Sequence, residues 1–194
     1  MARITRDSLM TLEAYARSRK DFRAKVILHK KNRTVHLGDH VTLLFEDELT
    51  IRYQVQEMLR IEKIFEEAGI EEELGAYNPL VPDGRNLKAT MLIEYEDVEE
   101  RHAALASLKG IEDHTWMQVA GFDRVFAIAD EDLERENAEK TSSVHFLRFE
   151  LTADMAAALK HGVDLAIGID HPQYTAALDG LPAEVRDALV KDLA

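Results

Sequence analysis

A carboxylate set inside an apolar helix face is the strongest chemical signal in this chain. The spacing predicts a helix over Glu48 to Ala68. Winding it at about 100° per residue gathers Tyr53, Met58, Ile61, Ile64, Phe65 and Ala68 on one arc, with Glu57 near its centre and Gln54 beside it. Arg52, Gln56, Lys63, Glu66 and Glu67 fall together on the opposite side and read as the solvated face. An ionised carboxylate left unpaired on burial costs several kcal/mol, so Glu57 requires a cation, a metal, hydrogen-bond donors or a proton.

Histidine supplies the second signal. If Val144 to Leu151 is a strand, His145 shares a face with Ser143, Leu147, Phe149 and Leu151, while Arg148 and Glu150 point the other way with Val144 and Phe146. Glu94, between Ile93 and Tyr95, and His171, at the end of a strand before Pro172, are weaker members of the same set of polar groups in apolar surroundings. Two arrangements compete. Glu57, His145 and His171 could ligate a divalent metal, since oxygen and imidazole donors suit iron, manganese or zinc. Alternatively, Glu57 pairs with Arg148 or Arg60, and Gln54 completes a buried network that fixes packing and binds nothing, the slightly favoured arrangement. The candidate ligand-binding set is Gln54, Glu57, Glu94 and Arg148.

Other spacings carry less. Glu99-x-x-His102 has the i, i+3 pattern of di-iron carboxylate bundles, but a second pair and four long helices are missing, so it reads as a solvated helix pair. A two-residue Gly38-Asp39 turn would pair Leu37 with His40 and place His36 and His40 on opposite faces. Glycine-rich nucleotide fingerprints, the phosphate-binding loop, His-Glu-x-x-His and the Gly-x-Ser-x-Gly elbow are all absent.

Composition bounds the remainder. The 194 residues contain no cysteine, which excludes disulfides, thiolate metal sites and cysteine nucleophiles within the chain itself. No apolar run approaches the roughly 20 residues of a membrane span, and the start Met-Ala-Arg-Ile-Thr-Arg has no apolar signal core, so a cytoplasmic protein is expected. Residues 1–36 carry ten Lys/Arg against three Asp/Glu, a balance of +7, leaving −20 on the remainder of a chain whose net charge is −13. Such a basic arm folds back on the acidic body, joins a homo-oligomer or meets an anionic partner. Nucleic acid ranks last, because the overall field repels a polyanion and only Tyr15 and Phe22 are aromatic within the arm.

The elements that must position these groups follow from periodicity and caps. Thr5 caps a first helix and Ser18 a second running to about Lys31. Strands are expected either side of Gly38-Asp39, and Gly69 is the natural end of the long helix. Asn78 to Gly84 reads as an ordered loop of successive turns. Extended runs at Leu87 to Tyr95, His114 to Ala120, Arg124 to Ile128, Val144 to Leu151 and Val163 to Asp170 alternate with helices at Asp97 to Lys109 and Thr152 to His161. Asp130 to Lys140 is a short helix or a solvated excursion. On the last strand, the small residues Ala166 and Gly168 suit either a close backbone approach or a face packed on a helix. The fold class is α+β: a mostly antiparallel sheet with helices packed on one face and a helical basic N-terminal arm. One domain over 1–194 is expected, with the arm at 1–33 and the body at 34–194.

RYQVQEMLRIE at 52–62, NPLVPDG at 78–84, KATMLIEYEDVEER at 88–101, EKTSSVHFLRFEL at 139–151 and IGIDHPQY at 167–174 resemble a bacterial family of unknown function. The family has no established activity and so transfers no catalytic residue. Its genes often lie beside those of a rubrerythrin-like di-iron protein and an iron–sulfur oxidoreductase. The resemblance therefore implies a role in peroxide or redox defence. Taken with the basic arm and the buried polar set, the expectation is an accessory protein of a rubrerythrin-linked oxidative-stress or redox system that binds a partner protein, with a divalent metal (iron, manganese or zinc) as a candidate cofactor. The alternative is a metal-dependent enzyme or small-ligand binder with a buried Glu/Gln/His site.

Overall fold

Leu87, Ala89, Met91 and Ile93 on one strand, and His145, Leu147 and Phe149 on its neighbour, are buried in strict alternation with half-exposed residues, which gives one sheet a core face and a second, mixed face. The computed structural model describes residues 3–131 and 134–194. Its helices are α1 (Leu12–Lys30), α2 (Glu48–Glu62), α3 (Glu67–Tyr77), α4 (Val98–Ser107), α5 (Ala153–Lys160) and α6 (Ala183–Val190). Its strands are β1 (Thr34–Leu37), β2 (Val41–Glu46), β3 (Asn86–Ile93), β4 (Thr115–Val119), β5 (Val125–Phe126), β6 (Ile128–Ala129), β7 (Val144–Glu150), β8 (Leu165–His171) and β9 (Tyr174–Leu178).

The chain is α+β, with its strands in two antiparallel sheets ordered β1-β2-β3-β7-β6 and β5-β4-β8-β9. The core face of the first sheet shares one hydrophobic cluster with Met117, Val119, Leu165, Ile167 and Ile169 of the second, joined by apolar residues of α4, α5 and α6. A separate cluster of Ile51, Val55, Leu59, Ile70 and Leu74 binds α2 to α3 and takes in Ile4 and Leu9. The expected extended run Arg124 to Ile128 is two strands: β5 pairs with β4, β6 pairs with β7, and the chain changes sheet at buried Ala127. The weakly apolar β9 and the helix α6 lie beyond the last expected strand. The described part of Asp130 to Lys140 contains no helix, while positions 132 and 133 lie outside the described residues.

Several local expectations are corrected. In the arm Thr5 heads only a 3-10 turn over Arg6–Ser8, and a single α-helix follows, running through Ser18 where a second start was expected: Thr11 is its cap, accepting from the Ala14 amide at 3.2 Å, while the Ser18 hydroxyl donates to the Ala14 carbonyl. The long helix ends at Glu62 instead of Ala68. Lys63 takes the left-handed conformation (φ 56°), and the Ile64 amide reaches back to the Leu59 carbonyl, a Schellman-type end. Gly69 lies within α3, where a β-carbon would stand 2.8 Å from the Ile64 side chain. The β1–β2 register pairs Leu37 with Val41 and His36 with Thr42, so the connection has three residues where two were expected. The Tyr174 hydroxyl closes it, donating to the Leu37 carbonyl at 2.5 Å and accepting from the His40 amide, and this crowding needs glycine at position 38. On β8, Gly168 lies under the Trp116 indole of β4, so a neighbouring aromatic side chain fills the space.

Two side-chain amides hold the N-terminal segment. Asn78 accepts from the Ile4 amide and donates to the Ile4 carbonyl, both at 2.9 Å. Gln56 treats Met10 in the same way, at 2.7 and 3.3 Å. Each imitates a strand partner for one residue of chain, which satisfies backbone groups that no sheet reaches.

Candidate functional site

The short α2 changes which residues it buries. Ile51, Val55 and Leu59, four apart, face inward with Thr50 and Gln56. Gln54, Ile61 and Phe65 are exposed, so the arc expected to surround Glu57 was wound through a helix end. Glu57 lies at the boundary, against α1. Arg19 grips it with two hydrogen bonds, Nε to Oε1 at 2.7 Å and a terminal nitrogen to Oε2 at 2.8 Å. The Tyr15 hydroxyl donates to Oε1 at 2.5 Å, and Arg60 stands 3.6 Å away. The Arg19 bonds outweigh partial burial and, with Tyr15, hold the Glu57 carboxyl down at about 2. Burial and the neighbouring carboxylate raise Tyr15. The basic arm therefore folds back on the body, with His29 at 2.5 Å from Asp47 as a second contact.

Because the folded pKa of Glu57 lies below its unfolded value of 4.5, this contact contributes stability above pH 4.5 and loses it as pH falls toward about 2. A Glu57→Gln variant should melt below wild type at pH 7, with the gap closing progressively between pH 4.5 and 2; a gap independent of pH in thermal denaturation would contradict this.

His145 is wholly buried on the core face of β7. Its Nδ1 lies 2.6 Å from Asp130 Oδ2, and its Nε2 lies 3.0 Å from both the Ser142 carbonyl and Thr141 Oγ1 and 3.8 Å from Glu112 Oε2. A carbonyl only accepts, so Nε2 as well as Nδ1 carries hydrogen, and the ring is an imidazolium between two carboxylates. Burial opposes that charge, yet the Asp130 hydrogen bond and the Glu112 charge hold the His145 pKa above the ordinary histidine value. Burial likewise raises Glu112. Asp130 reaches the ring from a left-handed backbone (φ 49°), pinned by its amide to the Phe146 carbonyl and by the Phe146 amide to its Oδ1, both at 2.9 Å. Arg135 approaches Asp130 to 3.2 Å and lies over the Phe146 ring, 4.5 Å from its centroid.

Phe146 leads to the mixed face of the first sheet. Between that face and the α3 end of the molecule lies a cavity of about 570 Å³, with Lys88, Thr90, Phe146 and Arg148 along the sheet and Met58, Tyr77 and Leu80 opposite. Arg148 is held by Glu131 through two bonds of 2.8 Å and by Glu150 at 2.6 Å. Glu46 is buried, accepting from Thr50 at 2.5 Å and Thr90 at 2.7 Å. Lys88 donates to the Pro79 carbonyl and has no ion pair among the described residues; burial lowers its pKa.

The structure thus disperses the candidates read from sequence. Glu57 and His145 share no partner, Arg148 lines the cavity, and Gln54 is exposed near Tyr77. Glu94 is exposed and accepts from Thr42 at 2.7 Å. His171 has both ring nitrogens engaged, Nε2 donating to the Lys109 carbonyl at 3.0 Å and Nδ1 accepting from the Gln173 amide at 3.2 Å. Among the described residues, one group of three ligand-type side chains converges within 4.8 Å: Glu112, Asp130 and His145. The two carboxylates were missed because Glu112 sits in a single 3-10 turn and Asp130 in a loop, neither with a periodic pattern. No helix among the described residues is long and apolar enough to cross a membrane.

Comparison with curated proteins returns no match. A crystal structure described as a novel protein of unknown function from Burkholderia pseudomallei is 59% identical, aligns over 100% of both chains and superposes with a TM-score of 0.95. Residues 3–193 match the family described as protein of unknown function (DUF3501), and the chain belongs to that family.

Proposed function

We propose that the chain binds a small amphiphilic organic anion in the cavity between α3 and the first sheet. The observation that carries this reading is the half-buried Lys88 ammonium, without an ion pair among the described residues, at the polar end of a cavity of about 570 Å³ whose other walls include Met58, Leu80 and Phe146. Volume and lining are those of a small-molecule site, apolar with a few polar groups that orient the ligand. An acid group would give Lys88 the direct ion pair that Asp83, Glu131 and Glu150 do not make with it and would offset the burial that lowers its pKa, while the apolar tail would cover Met58 and Leu80.

The family resemblance supports a setting for such a binder: an accessory role in peroxide or redox defence, with a rubrerythrin-like protein and an iron–sulfur oxidoreductase as partners. A chain without cysteine leaves electron transfer to them.

Calorimetry with octanoate tests the site. Wild type should bind one equivalent, Lys88→Met should bind at least tenfold more weakly, and octanol should bind neither protein measurably. Equal octanoate affinity for wild type and Lys88→Met would remove the ammonium from the proposal, and no binding would remove the site. Co-purification from natively expressing cells tests the setting separately; recovery of neither partner would count against it.

A further inference from the structure

We propose that His145 and Glu112 bind one divalent transition-metal ion, with Asp130 orienting the imidazole from behind. Glu112 Oε2 is shut off from solvent and has no hydrogen-bond partner among the described residues, although the residue is only 8% exposed. Buried carboxylate oxygens left in that state are rare, and each one needs a ligand or a proton to account for it. Its ion-pair contact among the described residues is His145 Nε2 at 3.8 Å. Two donors each about 2.1 Å from a shared ion stand at most about 4.2 Å apart, so an ion fits between this nitrogen and this oxygen without moving either far.

The surroundings match a metal site on its outer side as well. Nδ1 faces Asp130 Oδ2 at 2.6 Å, the carboxylate–histidine arrangement that fixes ring orientation and raises the basicity of a ligating nitrogen. Thr141 Oγ1 and the Ser142 carbonyl, each 3.0 Å from Nε2, supply oxygen donors on the ion's side of the ring. A surface pocket of about 390 Å³, bordered by Glu112, Asp113, Asp130, Glu134 and Glu136 against the cation Arg135, gives an incoming metal ion a net acidic approach. One imidazole with oxygen donors suits Mn²⁺, Fe²⁺ or Zn²⁺. The ion takes the place of the Nε2 proton, so binding releases that proton to solvent.

The test uses full-length untagged protein stripped with chelator, loaded with Zn²⁺ or Mn²⁺, desalted and analysed for metal. Wild type and the control Glu57→Gln should each retain about one equivalent, while Glu112→Gln, which keeps the side-chain shape, should retain less than a fifth of that. Wild type without stoichiometric metal of either kind, or Glu112→Gln retaining as much as wild type, would overturn the proposal. Nitrogen NMR of wild type gives a readout that does not depend on any variant folding. Zn²⁺ should abolish the His145 Nε2–H signal and leave Nδ1–H in place; an Nε2–H that persists at saturating Zn²⁺ also overturns it.

Discussion

Arg33→Met should lower stability at pH 8 by about 3–5 kcal/mol, the range for removing one partner of a buried ion pair. Arg33 is 1% exposed and lies where α1 hands over to β1. Its guanidinium donates to the carbonyls of Phe45 (2.9 Å) and Glu46 (3.1 Å) on β2 and of Ala188 (3.2 Å) on α6, and it pairs with Asp192. Methionine fills similar volume but strands three carbonyls and a carboxylate. Burial pushes Asp192 up to about 6 even against the pull of Arg33. Its folded pKa therefore exceeds the unfolded 3.8, and its contribution to stability declines as pH rises between those values. Without Arg33 the folded pKa climbs further, so the variant should be penalised less at pH 5 than at pH 8 in urea denaturation. A second change, Asp192→Leu, should recover part of the loss. A loss below about 1 kcal/mol in the single variant would show that water replaces the guanidinium.

His145→Leu, measured in the presence of chelator, should cost a comparable amount, about 3–5 kcal/mol, because it removes the cation between Asp130 and Glu112 and keeps the apolar volume. Asp130 retains the Phe146 amide and Arg135, so Glu112 is the more exposed to the loss. Adding Glu112→Gln to His145→Leu should then restore stability, by an amount a double-mutant cycle resolves. If the second substitution restores nothing, Glu112 is already protonated in the folded protein and the pairing with His145 is not what holds this corner.

What was readable from sequence follows the range of each signal. His145 stands out because strand alternation is a two-residue pattern that survives any tertiary context, and Thr152, Asp97 and Gly162 mark helix ends by local hydrogen bonding or φ. Glu57 needed a partner and has one, but Arg19 is 38 positions away on a helix whose position no local rule gives. The misassigned face of α2 has a single cause: Lys63 turns left-handed without being glycine or asparagine, and phases carried past it place Gln54 inside and Gln56 outside, the reverse of the structure. Glu112 and Asp130 meet His145 only because the chain changes sheets at Ala127, an event with no sequence mark beyond a short apolar run broken by small residues.

Arg33 and Asp192, 159 positions apart, also impose an order of events during synthesis. Asn78 can clamp Ile4 as soon as α3 has left the ribosome, and Gln56 can hold Met10 earlier still, so the arm docks on a half-made body. The guanidinium of Arg33 then waits, hydrated and supported by β2 and by Asp47 at 3.5 Å, until residues 188 to 192 are translated and α6 arrives to seal it. Late closure by a distant segment is entropically slow, and it makes the nascent chain dependent on α6 for dehydration of a charge set in place about 150 residues earlier.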